Sequence, residues 1–416
     1  MLATGGNIPF TAEKYKNSTE GKCELKENDT TPTKQFADDE GHNSTGLTGQ
    51  LTQMKKLNPK LKVMLSIGGS DSNKDFTKLT KTKPNTKKFV TNALSFMKKY
   101  GFDGIDIDWE YPNDQESKDK LTSLVNEFDT QLSIKNSLSE GSKYLLSIAV
   151  PSSQSQLANF DLASIHSKIA KFNLMGYDQK GSWSSSSGYQ SNLFQDSNDP
   201  DGGDSVNGTV HYMLGESVPA NKIVLGMPAY GHSFNTNKLY SQFHGCASID
   251  GVQQDNESCT INYKDLPPKG YKDYYDEDRG SAYAISPDAD EKIGQAKEEK
   301  RDDINNGNGG EVGKTGTGVI VYDNEKSARA KAQYVKKMGL GGGMWWDSEG
   351  DSANCNRSLL MQFVDELGGV EKLGDVTVKD GDDKTNNNNS KSGACGAFKT
   401  HALVVIFGNV LLAVLL

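Results

Sequence analysis

From residue 51 onward, short apolar runs rich in Val, Ile and Leu alternate with longer segments of helical periodicity. This alternation is typical of repeated β-strand and α-helix units that build a parallel sheet. The apolar runs predict strands at 62–68, 104–109, 144–150, 171–177, 222–227 and 341–346. The clearest helices between them are predicted at 86–100, 118–133 and 327–338.

Six strands, each followed by a helix or a long loop, suit a (β/α)8 barrel of the TIM type with two units unaccounted for. The interval 233–318 breaks this rhythm and contains Cys246, Cys259 and several tyrosines. It predicts a small α+β insertion after strand seven. We therefore expect an α/β protein whose barrel is split by this insertion into the parts 50–232 and 319–367.

The ends of the chain follow a different pattern. Residues 1–49 are irregular and polar, and 368–394 form a linker rich in Asp and Asn. Residues 402–416, ALVVIFGNVLLAVLL, are apolar but shorter than the roughly 20 residues of a spanning helix. They follow a polar spacer and the small residues Ser392, Gly393 and Ala394, which is the pattern of a GPI-attachment signal over 395–416. A short tail anchor is the plainer alternative.

A GPI anchor predicts a secreted or cell-surface protein held to the membrane by lipid. The first residues contain no basic n-region and no adequate apolar h-region, so we expect that the true N-terminus precedes this sequence. Cysteine usage fits an oxidising compartment, because setting aside Cys395 in the removable tail leaves an even set of four. We expect Cys246 to pair with Cys259, which leaves Cys23 for Cys355.

The net charge and the cysteine spacing exclude several classes of partner. The net charge of -9 argues against a nucleic-acid partner and against docking on anionic lipid, while a neutral polysaccharide stays compatible. No pair of cysteines has the C-x-x-C spacing of a zinc site, so no metal is expected.

The most informative segment is FDGIDIDWEYP at 102–112. Side chains alternate along a strand, so Asp106, Asp108 and Glu110 share one face at intervals of roughly 7 Å. A solvated acidic face is the plain interpretation, but parallel strands are usually covered on both faces. Burial and mutual repulsion raise at least one pKa in such a row. Glu110 stands where the strand reaches the C-terminal mouth of a barrel, and a protonated carboxyl there can act as a general acid.

DGIDIDWE resembles the D-G-x-D-x-D-W-E signature of family 18 glycoside hydrolases, chitinases above all. Five further segments resemble motifs of the same family in the same order over about 50–367: SIGG, MGYDQKGSW, GMPAYGHSF, VYDNEKS and GGGMWWD. With the GPI pattern, the chain is similar to a fungal-type, GPI-anchored chitinase that lacks its N-terminus.

The resemblance implies a retaining, substrate-assisted, endo-type hydrolysis of β-1,4-N-acetylglucosamine linkages. Glu110 would be the proton donor, Asp108 would bind the acetamido N–H, and Asp106 would set the protonation of Asp108. Tyr177 would hold the acetamido oxygen. The substrate is chitin or its oligomers, no organic cofactor is needed, and a monomer is expected. The resemblance implies a substrate-binding set of Asp178, Trp346, Met175, Tyr230, Tyr111, Gly69 and His232.

Three departures from the family pattern matter. Ser70 stands where an aromatic residue usually follows S-x-G-G, and His232 replaces an arginine, which removes a fixed fork of donors. The first strand of the family is not found, and at most a remnant of the second survives at 7–10. A barrel that lacks a unit has unpaired edges, so we expect the chain as written to fold poorly alone.

Two other functions stay open. One is a non-catalytic, lectin-like chitin-binding surface protein, against which the intact Glu110 argues. The other is an endo-β-N-acetylglucosaminidase acting on N-glycans, although an insertion that deepens the cleft favours a chitin chain.

Overall fold

The computed structural model describes residues 55, 60–70, 72–138, 143–287 and 318–369, and the backbone of four short strands outside them. Two of these strands, β1 (Phe36–Ala37) and β2 (Asn43–Ser44), pair with each other. The predicted remnant at 7–10, the linker and the anchor-attachment residues lie outside the described residues.

Six parallel strands build most of a closed barrel, in the order in which the sequence predicts them. Each pairs with the next along the chain, and the sixth pairs with the fifth across the insertion. The strands are β3 (Lys62–Gly69), β4 (Gly104–Trp109), β5 (Leu145–Pro151), β6 (Lys171–Met175), β7 (Ile223–Pro228) and β13 (Gly342–Trp346). The α/β barrel architecture is thus confirmed.

The gap between β13 and β3 is closed by the C-terminal segment. The strand β14 (Leu403–Phe407) pairs parallel with β3, and β15 (Leu411–Leu415) pairs antiparallel with both β14 and β13. This pair differs from a βα unit because only three residues separate its strands, and such a short link joins antiparallel neighbours.

Helices pack between the strands, and side-chain caps explain where the longer ones begin. The helix 83–99 begins before its apolar periodicity because Thr82 accepts a hydrogen bond from Asn85 N–H and a proline lies in the first turn. Asp114 and Ser117 form a capping box ahead of the next long helix. The helices are α1 (Asn73–Leu79), α2 (Lys83–Lys99), α3 (Gln115–Ser137), α4 (Gln154–Leu157), α5 (Leu162–Ile165), α6 (Val206–Gly215), α7 (Glu325–Met338) and α8 (Leu359–Glu366).

The insertion and the strands at its two ends form a second, antiparallel sheet of five strands. The predicted disulfide between Cys246 and Cys259 is present, with a Cα–Cα distance of 5.1 Å. Cys355 is also disulfide-bonded, but Cys23 lies outside the described residues, so that pairing stays a prediction. The strands are β8 (Tyr230–Phe234), β9 (Thr260–Asn262), β10 (Lys272–Asp276), β11 (Ser281–Ile285) and β12 (Val319–Tyr322). Their order in the sheet is β10-β11-β12-β8-β9.

Candidate active site

The acidic row of β4 lies inside the barrel. Asp106 is 1% exposed, and its Oδ1 accepts hydrogen bonds from Ser147 Oγ at 2.5 Å and Asn173 Nδ2 at 2.9 Å. Its Oδ2 accepts a third from Ser66 Oγ at 2.8 Å. All three donors are neutral side chains, on β3, β5 and β6, so Asp106 is buried without a cationic partner among these contacts.

Burial changes the ionisation of this row. It raises the pKa of Asp106 from 3.8 to about 6, against the opposing effect of the hydrogen bonds from Ser147, Ser66 and Asn173. It also raises the pKa of Asp108 well above its usual value, and the charges of Glu110 and Asp106 raise it further. The pKa increase that the sequence predicts for the row is therefore present at both aspartates.

The end of β3 and the loop after it pack closely against the acidic row. Gly68 has a φ of 134°, and a Cβ atom there would lie 1.8 Å from the carbonyl oxygen of Asp108. Only glycine allows this approach. Ser72 then connects the row to the loop, since its Oγ donates to Asp108 O at 3.2 Å and accepts from Glu110 N–H at 3.0 Å. The SIGG motif and its loop thus hold the end of the acidic strand.

A cavity of about 390 Å³ opens at the carboxyl ends of the barrel strands, where Asp108 and Glu110 reach its interior. Within the described residues, Asp108 Oδ1 is buried and has no hydrogen-bond partner. The wall combines the polar row with aromatic side chains from the loop after β4, the loop after β6 and the strand β13. The lining includes the predicted residues Gly69, Asp106, Asp108, Glu110, Tyr111, Met175, Tyr177, Asp178 and Trp346.

Two tyrosines of the wall stand beside the carboxylates. Tyr177 is 7% exposed, and burial raises its pKa well above the usual value, with Asp178 and Asp108 adding to the effect. The pKa of Tyr111 is also raised by burial and then by Glu110. Both phenols therefore stay protonated and can donate hydrogen bonds at neutral pH.

Two peptide bonds at the cavity wall are cis, one after Glu110 and one after Trp346.

Asp178 lies just past β6, and two residues of β8 hold it from behind. Its backbone φ of 58° lies in the left-handed region, and β6 ends at Met175, two residues before the predicted end at residue 177. Its Oδ1 accepts from Tyr230 OH at 2.5 Å and lies 2.8 Å from His232 Nε2. Neither Tyr230 nor His232 is among the residues that line the cavity. Besides Asp178, they contact two other lining residues, since Tyr230 packs edge-on to Tyr177 at 6.2 Å and His232 packs edge-on to Trp183 at 5.4 Å.

The histidine that replaces the family arginine is buried between two acceptors. His232 Nδ1 lies 3.2 Å from Ser258 O, and Nε2 faces the carboxylate of Asp178. Because both neighbours accept, both contacts are hydrogen bonds only when both ring nitrogens carry a proton. One histidine thus connects the insertion to the cavity wall.

Sequence reasoning did not place Trp183 in the site. Its side chain is 60% exposed at the edge of the cavity, and its ring packs across Gly181 and edge-on to His232 at 5.4 Å. An exposed aromatic face beside a polar cavity suits stacking on a sugar ring. The signal was present in the MGYDQKGSW segment, but loop position alone does not distinguish a packed from an exposed tryptophan.

The three side chains that hold Asp106 were also missed. Ser66 lies within SIGG, but Ser147 and Asn173 lie in apolar strands where a single polar residue has no local signal. Their role depends on sheet register, which aligns Asp106 with both Ser66 and Ser147. Register between strands about 40 residues apart cannot be read from either strand alone.

Among the described residues, no group of three or more His, Cys, Asp or Glu side chains could hold a metal ion. No helix in those residues is long and apolar enough to cross a membrane.

A barrel with buried carboxylates at its C-terminal mouth and aromatic walls defines the class of (β/α)8-barrel glycosidases. The chain matches the description "Glycosyl hydrolases family 18" over residues 15–351 and belongs to that family. It is 32% identical over 333 residues to Chitinase 1 of Aphanocladium album, covering 79% of this chain and 71% of that protein. It is 33% identical to Sporulation-specific chitinase 2 of Saccharomyces cerevisiae, covering 77% of this chain and 61% of that protein.

Solved structures agree with the fold. Human YKL-39, described as a pseudo-chitinase with retained chitooligosaccharide binding, superposes with a TM-score of 0.66 at 25% identity. The match covers 78% of this chain and 85% of that one. The fold therefore occurs in catalytic and non-catalytic proteins, so the function has to be argued from the site.

Proposed function

We propose that this protein hydrolyses β-1,4-N-acetylglucosamine linkages inside chitin chains, by a retaining and substrate-assisted mechanism. The observation that carries the proposal is the row Asp106–Asp108–Glu110, whose first member is buried and whose three side chains all line the cavity. Such a row supplies a proton donor and a neighbouring acceptor in one place. The related fungal chitinases support the same substrate class.

In the first step, Glu110 donates its proton to the glycosidic oxygen as that oxygen leaves C1 of the sugar. The carbonyl oxygen of the sugar's own acetamido group forms a bond to C1, which gives an oxazolinium ion and retains the anomeric configuration after the second step. In that step the Glu110 carboxylate takes a proton from water while the water oxygen bonds to C1 and the oxazolinium ring opens. Atoms and charge balance without any metal or cofactor.

The surrounding residues suit these steps. Asp108 Oδ1, which is buried and has no hydrogen-bond partner within the described residues, can accept the acetamido N–H. The protonated phenol of Tyr177 can donate to the acetamido oxygen and hold it in line for attack. Trp346 and Trp183 offer aromatic surfaces to sugar rings at two places on the wall.

Hydrolysis of a fluorogenic N-acetylchitooligosaccharide by the wild type and by Glu110→Gln tests the proposal. We expect a loss of about 10²- to 10⁴-fold in kcat, because Gln fills the same volume but cannot give up a proton. Glu116→Gln is the matched control, since Glu116 is 75% exposed on α3 and lies outside the cavity. Equal activity of the wild type and Glu110→Gln would overturn the mechanism.

Two other functions can be distinguished from chitin hydrolysis by which substrate the protein binds and which substrate it cleaves. A lectin-like protein, as the pseudo-chitinase relative illustrates, would bind tetra-N-acetylchitotetraose without cleaving it. An endo-β-N-acetylglucosaminidase would cleave a high-mannose glycopeptide in preference to the chitotetraose. We expect cleavage of the chitotetraose and none of the glycopeptide.

We further propose that the protein is secreted, monomeric and held at the cell surface by a GPI anchor, where it would remodel a chitin-containing wall. The Cys246–Cys259 disulfide supports an oxidising compartment. The order of small residues, spacer and apolar tail supports the anchor. Localisation of the full-length protein inside the cell would contradict this proposal.

A further inference from the structure

A buried lysine follows Asp178 in the loop between β6 and α6. The Lys180 side chain is 5% exposed, and its Nζ lies 3.0 Å from Asp199 Oδ1 and 2.5 Å from Asp201 Oδ2. Its stem packs against Gly188, where a Cβ would come within 3.1 Å. A lysine buried between two carboxylates is costly to desolvate, so the arrangement requires close pairing.

Asp201 also accepts hydrogen bonds from the residues that follow the turn carrying Trp183. Gly181 and Ser184 close this turn, with Ser184 N–H donating to Gly181 O at 3.0 Å and Gly181 N–H donating to Ser184 Oγ at 3.1 Å. After the turn, Ser185 and Ser186 both donate to Asp201 Oδ2, at 3.0 and 2.9 Å. Lys180 before the turn and two serines after it therefore converge on one carboxylate.

The polar contacts at the two ends of the loop are made with different partners, although the ring of His232 also packs against Trp183. Asp178 is held by Tyr230 and His232 of β8, and these contacts do not involve Lys180. The loop beyond Asp178 depends on the pairing of Lys180 with Asp199 and Asp201. Loss of the lysine charge would thus release the turn with Trp183 while Asp178 keeps its own contacts.

We propose that Lys180 is a positioning residue that sets the place of Trp183 at the edge of the cavity and so determines affinity for the substrate chain. It contacts no carboxylate of the acidic row and does not line the cavity. Its effect therefore passes through Trp183. This inference rests on the proposed chitin hydrolysis, which Glu110→Gln tests separately.

The first test compares the kinetics of wild type and Lys180→Met on tetra-N-acetylchitotetraose. We expect KM to rise about fivefold while kcat changes less than about twofold, the signature of lost uniform binding. Lys87→Met, at an exposed lysine of α2, is the matched control and should leave both constants unchanged. An unchanged KM in Lys180→Met would overturn the proposal.

The second test asks whether the effect passes through Trp183. Trp183→Ala alone should raise KM, and adding Lys180→Met in that background should raise it no further, because the group that Lys180 positions is gone. If Lys180→Met raises KM by the same factor in both backgrounds, the lysine acts elsewhere and the proposal is wrong. Melting temperatures of all variants separate this outcome from general loss of fold.

Asp201→Asn provides the same test if Lys180→Met does not fold. The Asp201 side chain is 40% exposed, so its substitution disturbs less buried structure. It weakens the contacts from Lys180, Ser185 and Ser186 together, and we expect the same rise in KM and the same absence of effect in the Trp183→Ala background. An equal rise in both backgrounds would overturn the proposal here too.

Discussion

The burial of Asp106 in the site lowers the stability of the folded protein at neutral pH. The residue is buried among neutral donors, and its pKa is raised from 3.8 to about 6. The unfolded chain releases this proton at lower pH than the folded chain. The free energy of unfolding of the wild type therefore falls as pH rises from about 4 to 6, and the full penalty of ~3 kcal/mol is present above pH 6.

The substitution Asp106→Asn should remove that penalty. The amide keeps the shape and can hydrogen-bond the same serines, so we expect a free energy of unfolding about 1–3 kcal/mol above that of the wild type at pH 7.5. The stability difference should nearly vanish near pH 3, where the wild-type carboxyl is mostly protonated in both states. We propose that Asp106 sets the protonation of Asp108, and on that proposal we expect activity to fall at least ~10-fold.

Urea denaturation at the two pH values checks this prediction, with Asp119→Asn on the exposed side of α3 as the control. A stability difference that does not depend on pH would show that Asp106 is not the titrating group. Full activity in Asp106→Asn would separate Asp106 from the proposed proton chain.

At the scale of elements, local pattern predicts most strands to within two residues, because apolar runs bounded by turn residues are local signals. It does not predict which sheet a strand joins. The pattern assigns residues 319–322 to the barrel part of the sequence, whereas β12 pairs with β8 and β11 in the antiparallel sheet. Nor does pattern reveal a buried charge, since Lys331 lies within the helical sequence SARAKAQYVKKM and looks like a surface residue.

Lys331 forms a buried ion pair that connects a helix to a strand of the antiparallel sheet. Lys331 on α7 is 0% exposed, and its Nζ lies 2.6 and 2.8 Å from the carboxylate of Asp323, at the end of β12, which is 1% exposed. Lys331→Met leaves Asp323 buried with its hydroxyl donors only. We expect the free energy of unfolding to fall by about 3–5 kcal/mol.

Urea denaturation measures this loss. Lys336→Met on the same helix is the matched control, because Lys336 is exposed near the C-terminal end of the helix. Adding Asp323→Asn to Lys331→Met should recover part of the lost stability, since the unpaired charge is removed. A loss below about 1 kcal/mol in Lys331→Met would mean that the pair contributes no more than a surface ion pair.

At the scale of the whole molecule, the site and the barrel closure depend on different parts of the chain. The acidic row, Tyr177 and Asp178 come from β4, β6 and the loop after β6, all within the continuous parallel part of the sheet. The closure between β13 and β3 comes from the apolar segment 403–415. The sequence could locate the site because the motifs of the site are local. The pairing of the C-terminal segment with β3 could not be predicted in this way, because it is a contact between distant parts of the chain.

The apolar segment has two incompatible roles in a mature protein. If 395–416 is removed for the GPI anchor, β14 and β15 are lost and the edges of β3 and β13 need another partner. We expect mass spectrometry of the protein from a secretory host to find no peptide from 402–416, and phosphatidylinositol-specific phospholipase C to release the protein from membranes. If the peptide is present and deletion of 395–416 lowers Tm by more than about 5 °C, the segment belongs to the barrel and the anchor proposal is wrong.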